Sequence, residues 1–271
     1  MLAKLQAFFF NKLKDELFLF FFLKRPSIRN SNLISKLENY YFQYAFGLVG
    51  VDSKFPTPRF QQALVARDIF CIFKNKSKFS YCECCPLDGY ISWRLSQMTN
   101  IELYAIEYLS KNIEKIRIIS QIFSYKINLF RGCVESFNQT SFDAFTMLGC
   151  TYQMKFPLYN ISYVYNNLLK SGSTFYVDMI HPHDSFSRED YIPSGITNEE
   201  GYEGLKFVYD TNHINFTDNF KTNHPIEFSE TILYIQCVFL KYCKESLSVP
   251  KVIGGTKGSG FDFVTYRFSK E

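Results

Sequence analysis

The alternation of strands and helices along this chain constrains its fold more than any other feature. Apolar residues at helical spacing predict a helix at 60–73, and the segments that follow alternate in their periodicity. They are strand 79–84, helix 90–97, strand 102–106, helix 110–123, strands 128–131 and 144–148, helix 159–169 and strand 175–180. This order requires an α/β fold with a mostly parallel sheet and helices on both faces.

Two regions lie outside the alternation. Residues 1–59 contain helical pieces separated by polar breaks, and they predict an N-terminal helical extension to an α/β domain at 60–271. Residues 181–228 are polar and rich in proline and glycine, which predicts an insertion of loops and short strands on the substrate side. A helix at 230–246 and a hairpin at 251–268 are expected to complete the domain.

Composition indicates a globular protein and limits its partners. Hydrophobic residues make up 46% and charged residues 21% of the 271 residues, and a net charge of +4 is too small to indicate nucleic acid. The aromatic segment 8–26 resembles a membrane span, but Lys12, Lys14, Asp15 and Glu16 interrupt it. Neither half therefore supplies the roughly 20 apolar residues that a span needs.

This N-terminal segment also lacks the small-residue cleavage site of a signal peptide. We therefore expect a cytoplasmic protein without a membrane span. Its N-terminal helices are expected to pack on the domain, on a partner protein or on a second copy of the chain. Contact with a membrane surface is the alternative.

The eight cysteines lie mostly inside apolar runs, which is typical of buried, reduced thiols. Three of them, Cys82, Cys84 and Cys85, are close enough in sequence to suggest a metal site. Strand alternation places Cys82 and Cys84 on the same face, but no partner pair at C-x-x-C spacing follows. We therefore expect buried thiols here, with a zinc site as the alternative.

The stretch YCECCPLDGYISWRL, residues 81–95, runs from the first strand through a tight turn into a helix. It resembles the class I S-adenosylmethionine-dependent methyltransferases, in which an acidic residue ends the first strand and a loop with three glycines follows. Glu83 matches the acid and Gly89 the last glycine, while Cys85 and Leu87 stand at the first two glycine positions. The resemblance implies that these four residues contact the cofactor. Leu87 cannot adopt a positive φ cheaply, so we expect it to narrow the pocket or to project away from it.

The resemblance continues in register through the next two segments. IELYAIEYLSKNIEKIR, residues 101–117, is similar to the second strand and helix of the family, which implies that Glu107 binds the ribose hydroxyls. A carboxylate suits that role because it accepts hydrogen bonds from both hydroxyls. RGCVESF, residues 131–137, resembles the loop that meets the adenine, and this implies cofactor contacts by Cys133 and Val134.

The later segments extend the same resemblance. SFDAFTMLGCTYQM, residues 141–154, resembles the fourth strand and its exit, which implies that Leu148 lines the cofactor. LLKSGSTFYVD, residues 168–178, is similar to the turn into the fifth strand. The family resemblance implies a Rossmann-like, seven-stranded, mostly parallel sheet that an antiparallel C-terminal hairpin completes.

Candidate acceptor-binding residues follow the fourth and fifth strands. HPHD, residues 181–184, lies at the carboxyl edge of the sheet, so His181 or His183 is a candidate general base for an acceptor hydroxyl. Tyr152 is a candidate acceptor contact, and packing or a loop hydrogen bond is the alternative for it. The alternatives are a solvated turn, or a divalent ion held by the two histidines and Asp184.

The sequence therefore predicts an enzyme, an S-adenosylmethionine-dependent methyltransferase of a small-molecule acceptor such as a sugar or metabolite hydroxyl. One alternative is an inert methyltransferase-like scaffold that binds a partner protein through its N-terminal helices. The lost glycines favour the scaffold, whereas the retained acids Glu83 and Glu107 favour the enzyme. A second alternative is an RNA-modifying or tRNA-modifying methyltransferase. PTPR at 56–59 and MLGCTYQM at 147–154 resemble relatives of the bacterial enzymes that modify the wobble uridine of tRNA.

Overall fold

The computed structural model of the chain describes residues 14, 15, 17–38, 40, 46, 48, 60–151, 157–182, 205–208, 231–234, 247, 248, 250–257 and 261–271. Its strands are β1 (Phe79–Cys84), β2 (Ile101–Glu107), β3 (Asn128–Arg131), β4 (Phe142–Met147), β5 (Leu169–Pro182), β6 (Leu205–Val208), β7 (Thr231–Tyr234), β8 (Lys251–Lys257) and β9 (Phe261–Ser269). Its α-helices include α1 (Phe60–Phe73), α2 (Tyr90–Leu95), α3 (Ser110–Phe123) and α4 (Pro157–Tyr163), which a π-helical turn (Val164–Leu168) extends. Residues 17–22 belong to a further, N-terminal helix. Two 3-10 helices span Ser31–Leu37 and Val134–Ser136.

A seven-stranded sheet has the order β3-β2-β1-β4-β5-β9-β8. The strands β1 to β5 pair in parallel, and β9 runs antiparallel to both β5 and β8. This topology confirms the predicted Rossmann-like sheet with an antiparallel C-terminal hairpin. The direction of progression along the sheet reverses between β1 and β4, and ligands of such sheets bind at the carboxyl edge of this switch point.

Both faces of β1 are buried, as expected for a central parallel strand. Phe79 and Tyr81 belong to the core cluster that contains Trp93 of α2, whereas Cys82 and Cys84 belong to the cluster on the opposite face. The predicted placement of Cys82 and Cys84 on one face is therefore confirmed. By the same alternation, Glu83 faces α2.

Hydrogen bonds of Asp143 link the amino ends of β1, β4 and β5. Its Oδ2 accepts hydrogen bonds from the backbone N–H of Ser80 at 2.8 Å, the Ser80 hydroxyl at 2.9 Å and Lys170 Nζ at 2.7 Å. Its Oδ1 accepts one from Lys76 Nζ at 3.1 Å. Burial opposes ionisation, but the bonds from Lys170, Ser80 and Lys76 outweigh it and lower the pKa of Asp143 to about 2.

The predicted helix at 230–246 is wrong at its start. Thr231–Tyr234 is the strand β7, which pairs antiparallel with β6 in a separate two-stranded sheet. The sequence of β7 is TILY, and short apolar runs of β-branched and aromatic residues favour strands even where their spacing also fits a helix. The rest of the predicted helix, residues 235–246, lies outside the described residues.

The predicted boundary between the helix at 159–169 and the strand at 175–180 is also wrong. The strand β5 begins at Leu169, which pairs with Phe142, and it continues to Pro182. Gly172 is part of this strand, has a φ of 74° and donates its N–H to the Lys270 carbonyl at 2.8 Å. The glycine that signals a helix end therefore serves an irregularity within the strand, because both need a positive φ.

The predicted division into an extension at 1–59 and a domain at 60–271 stays a prediction. Residues 17–22 are helical, and Leu19 and Leu23 are buried in the same core cluster as Trp93. Most of the predicted insertion at 181–228 lies outside the described residues. In the part of the chain that the structure describes, each helix is too short or too polar to cross a membrane.

The Asp143 cluster gives a pH-dependent contribution to stability. Because the folded pKa is lower than the ordinary value, this contribution is complete above about pH 4 and is lost as the pH falls through about 2. We expect Asp143→Asn to lower the free energy of unfolding at pH 7 by about 1–2 kcal/mol, a value reduced for solvent screening of the half-exposed lysines.

Urea unfolding at several pH values between about 7 and 3 measures this contribution. The difference between Asp143→Asn and wild type should shrink as the pH falls below about 4. Glu102→Gln is the control, because Glu102 and Lys78 form an exposed ion pair at the same edge of the sheet. A difference for Asp143→Asn that is independent of pH would contradict this account.

Candidate active site

The carboxyl ends of β1, β2 and β4 lie side by side. Cys84, the last residue of β1, pairs with Ile106 of β2 on one side and with Met147 of β4 on the other. Glu107, the last residue of β2, pairs with Arg131 at the end of β3. The loops that follow these strands therefore leave one edge of the sheet. They carry most of the residues for which we predicted cofactor contacts, namely Cys85, Leu87, Gly89, Cys133, Val134 and Leu148.

The loop after β1 has a left-handed backbone at each of the three positions that are glycine in the resembled family. The φ angles are 52° at Cys85, 54° at Leu87 and 70° at Gly89. Only glycine adopts such angles freely, and other L-residues there cost about 1–2 kcal/mol each. The loop therefore has a backbone that glycine favours, although two of the three positions carry side chains. Leu87 adopts a conformation that its side chain disfavours.

Hydrogen bonds fix both ends of this loop. The Cys85 N–H donates to the Ile106 carbonyl at 2.9 Å, which extends the ladder between β1 and β2 by one residue. The Gly89 N–H donates to the Pro86 carbonyl at 2.8 Å, and the Gly89 carbonyl accepts from the Trp93 N–H at 2.8 Å in the first turn of α2. The loop is therefore a defined turn between strand and helix.

A buried ion pair between Asp88 and Lys115 ties the loop to α3. The Asp88 side chain is fully buried and that of Lys115 is 4% exposed. Lys115 also contributes a positive charge that favours the ionised form of Glu107. This pair was not predicted from the sequence. A lysine among the isoleucines of an amphipathic helix was a signal of it.

Glu83 lies in β1, two residues before the loop, and contacts the helix that follows the loop. Its Oε2 accepts hydrogen bonds from the Ser92 hydroxyl at 2.7 Å and from the Ser92 N–H at 3.2 Å, so it joins β1 to α2. Burial raises the pKa of Glu83 to about 7, against the lowering effect of the bonds from Ser92, and the charge of Asp88 raises it further. A direct cofactor contact by Glu83 stays a prediction.

Glu107 is placed at the end of β2 as predicted for a ribose ligand. Its Oε1 accepts from the Leu109 N–H at 2.9 Å and its Oε2 accepts from Asn112 Nδ2 at 3.3 Å. Burial, together with the nearby Cys85, raises the pKa of Glu107 to about 7, although both hydrogen bonds and Lys115 lower it. Each carboxylate oxygen keeps acceptor capacity for a further donor.

Asp178 of β5 fixes the exit of β4. Its two carboxylate oxygens accept from the Gly149 N–H at 2.8 and 2.7 Å, and its carbonyl accepts from the Thr151 hydroxyl at 2.7 Å. Gly149 has a φ of 70°, and Leu148 before it is buried. Sequence analysis did not assign Asp178 a role, although an acid at the end of the apolar run FYVD was a signal.

The remaining predicted site residues are only partly described. Cys133 is exposed and Val134 is buried at the exit of β3. His181 of β5 pairs with Asp262 of β9. It lies four residues beyond Val177, which pairs with Met147 at the end of β4. At about 3.3 Å per residue, His181 is about 13 Å further along the strand. Its side chain, together with Tyr152, His183 and Asp184, lies outside the described part of the chain.

Three thiols meet at the switch point between β1 and β4. The sulfur atoms of Cys84, Cys85 and Cys150 all lie within 4.8 Å of one another, and those of Cys84 and Cys85 are 3.7 Å apart. Hydrogen bonds from Cys150 and Cys85 lower the pKa of Cys84 to about 6, in spite of burial. Sequence analysis grouped Cys84 and Cys85 with Cys82 and missed Cys150.

The fold described above has counterparts among solved structures. No protein-family model and no curated protein matches the chain in sequence. The N-terminal domain of EvdMO1 with SAH bound aligns with a TM-score of 0.63 at 13% identity, over 89% of this chain and 95% of that one. A S-adenosylmethionine-dependent methyltransferase from Clostridium acetobutylicum ATCC 824 aligns with a TM-score of 0.51 at 13% identity, over 78% and 91%.

Magnesium protoporphyrin IX methyltransferase (ChlM) from Synechocystis PCC 6803 with bound SAH gives a TM-score of 0.50 at 11% identity, over 78% of this chain and 83% of that one. These likenesses show that the chain has the fold of the class I S-adenosylmethionine-dependent methyltransferases. The fold implied by the sequence resemblance is thereby confirmed. The narrower relation to tRNA-modifying enzymes stays a prediction.

The left-handed angle at Leu87 can be tested with a matched pair of variants. Leu87→Gly and Leu87→Ala both remove the side chain, but only glycine adopts a φ of 54° without strain. We expect Leu87→Gly to be the more stable variant by about 1 kcal/mol, measured by urea unfolding. Equal stability of the two variants would show that this angle carries no strain.

Breaking the ion pair between Asp88 and Lys115 should cost far more stability than breaking an exposed pair on the same helix. We expect Asp88→Asn to lower the free energy of unfolding by about 3–5 kcal/mol, because Lys115 is buried. Glu114→Gln removes the exposed partner of Arg117 and should cost at most about 1 kcal/mol. Similar losses in the two variants, measured by thermal or urea unfolding, would contradict this assignment.

Proposed function

We propose that this chain is an S-adenosylmethionine-dependent methyltransferase that acts on a hydroxyl group of a small molecule, with a sugar as the first candidate. The observation that carries the proposal is the left-handed loop from Cys85 to Gly89 beside the buried carboxylate of Glu107. The sugar is suggested by a similar structure, since the N-terminal domain of EvdMO1 was crystallised in the presence of SAH and D-fucose.

The residues at the carboxyl edge fit the cofactor in their chemistry. Glu107 offers two acceptor oxygens for the ribose hydroxyls. The turn of the loop at Cys85, Leu87 and Gly89 would let its backbone approach the methionine part. We assign the apolar side chain of Leu148 to the wall of the same pocket, with Cys133 and Val134 near the adenine.

When bound, S-adenosylmethionine supplies a methyl group on a sulfonium centre, which passes to the acceptor oxygen as the carbon–sulfur bond breaks. The task of the protein is to align the acceptor with that methyl group and to keep the reacting atoms in line. We assign removal of the hydroxyl proton to His181 or His183, and we place Tyr152 beside the acceptor. The backbone of His181 lies at the carboxyl end of β5, on the side of the sheet where the acceptor would bind.

A partner-binding scaffold is the second candidate, and one observation favours it. Phe20, Phe21 and Phe22 in the N-terminal helix expose 63%, 75% and 63% of their surface. Three adjacent exposed phenylalanines are unusual on a free surface and indicate contact with another molecule. A methyltransferase could also bind a partner protein through this helix. If the loop has lost cofactor binding, only the scaffold function remains.

Calorimetric titration of the purified chain with S-adenosylmethionine and S-adenosylhomocysteine tests the first candidate. We expect binding of both in the micromolar range, with about one site per chain. Circular dichroism and a cooperative unfolding transition establish that the protein is folded. If folded protein binds neither compound, the methyltransferase proposal is wrong and the scaffold is favoured.

Substitution of Glu107 tests where the ribose binds. We expect Glu107→Ala to weaken S-adenosylhomocysteine binding by about 1–3 kcal/mol, because the ribose hydroxyls lose their acceptor. Glu107 also bonds the Leu109 N–H at the start of α3, so Glu107→Gln serves as a second variant that keeps one carbonyl acceptor.

The matched control is Glu102→Ala, which changes an exposed glutamate near the opposite end of the same strand. It should leave the affinity unchanged. Unaltered affinity in both Glu107 variants, with wild-type binding intact, would show that the ribose does not lie at the end of β2.

A further inference from the structure

The thiols of Cys84, Cys85 and Cys150 form a cluster to which the proposed methyl transfer assigns no role. Cys84 ends β1, Cys85 begins the loop after it, and Cys150 follows the end of β4. The chain thus brings three sulfur atoms from two neighbouring strands to one point at the carboxyl edge. Their mutual distances are all within 4.8 Å.

The spacing of the sulfur atoms suits a thiolate-bound metal. Tetrahedral zinc binds thiolates at about 2.3 Å, so two sulfur ligands of one ion lie about 3.8 Å apart. The sulfur atoms of Cys84 and Cys85 are 3.7 Å apart. A bound ion requires only a small inward movement of the third thiol from within its present 4.8 Å limit.

The fold holds these thiols in place before any ligand binds. Cys84 is paired on both sides in the sheet, and the Cys85 N–H continues the ladder to Ile106. Cys150 follows Gly149, whose N–H is held by both oxygens of Asp178. Such support lowers the entropic cost of assembling a metal site.

Backbone strain at Cys85 is an independent observation that points to a role for its thiol. Cys85 has a φ of 52° at a position where glycine would be free of strain. Residues with such strain are enriched at active sites and ligand sites. A cysteine here supplies a sulfur atom within 4.8 Å of both other sulfur atoms.

The three cysteines of the cluster differ in their exposure. Cys84 and Cys150 are each 3% exposed, whereas Cys85 is partly exposed. An ion would reach the cluster past Cys85, its partly exposed member. Zinc suits this site because soft thiolates select it and because its two positive charges offset thiolate charge in a buried place.

We propose that Cys84, Cys85 and Cys150 bind one zinc ion through three sulfur atoms, with the fourth position taken by a solvent molecule or an added ligand. Each thiol that binds the ion releases its proton to the buffer, and no oxidant or reductant is needed. Three protein ligands and one open position are typical of zinc sites that take part in chemistry. The inference does not depend on cofactor binding.

Zinc content tests the site in the full chain, purified without a histidine tag under reducing conditions. We expect about one tightly held zinc per chain by elemental analysis after dialysis. Cobalt substitution should give the intense thiolate charge-transfer and ligand-field bands of tetrahedral cobalt, and adding cyanide should shift them if the fourth position is open. Zinc far below one per chain after reconstitution overturns the proposal, as does a disulfide among these cysteines in the reduced protein.

Cys85→Gly is the decisive variant, because glycine suits the φ of 52° and should leave the fold intact. We expect its zinc affinity to fall at least about 100-fold, beyond the 10–100-fold typical of residues that only support a ligand. Cys71→Ser is the matched control, since Cys71 is exposed on α1, and it should bind zinc as wild type does. Wild-type zinc affinity in folded Cys85→Gly overturns the proposal.

Discussion

The left-handed backbone at residues 85, 87 and 89 is the constraint on which the carboxyl edge depends. It turns the chain from β1 into α2 within five residues and places Cys85 beside the end of β2. Glycine would adopt these angles at little cost, but the chain has cysteine and leucine at two of the three positions. The surrounding structure must therefore stabilise the turn.

Buried carboxyl groups link this turn and the strand before it to two helices. Asp88 at the tip of the turn pairs with Lys115 of α3, and Glu83 beneath it accepts two hydrogen bonds from Ser92 of α2. Asp88 ties the loop to α3, whereas Glu83 ties β1 to α2. The cost of burying these charges is offset only while both helices stay packed, so the conformation of the loop and the packing of the sheet depend on each other.

The same edge serves two proposed ligands. Glu107 at the end of β2 is the proposed ribose ligand, and the thiols of Cys84, Cys85 and Cys150 lie one strand away. Cys85 belongs to both sites, since its backbone would approach the cofactor and its thiol would bind zinc. The switch point between β1 and β4 explains this proximity, because the loops after those strands diverge there and leave space for ligands.

Sequence by itself determined the order of elements in the sheet region and the bounds of β1, β3 and α3, because periodicity and turn residues act locally. The resemblance of residues 101–117 to a family segment also pointed to Glu107 at the end of β2. Tertiary structure alone decided that β7 pairs with β6, that Asp178 holds Gly149, and that Cys150 joins Cys84 and Cys85. These outcomes depend on which strands become neighbours, and residues far apart in sequence carry no local signal of that pairing.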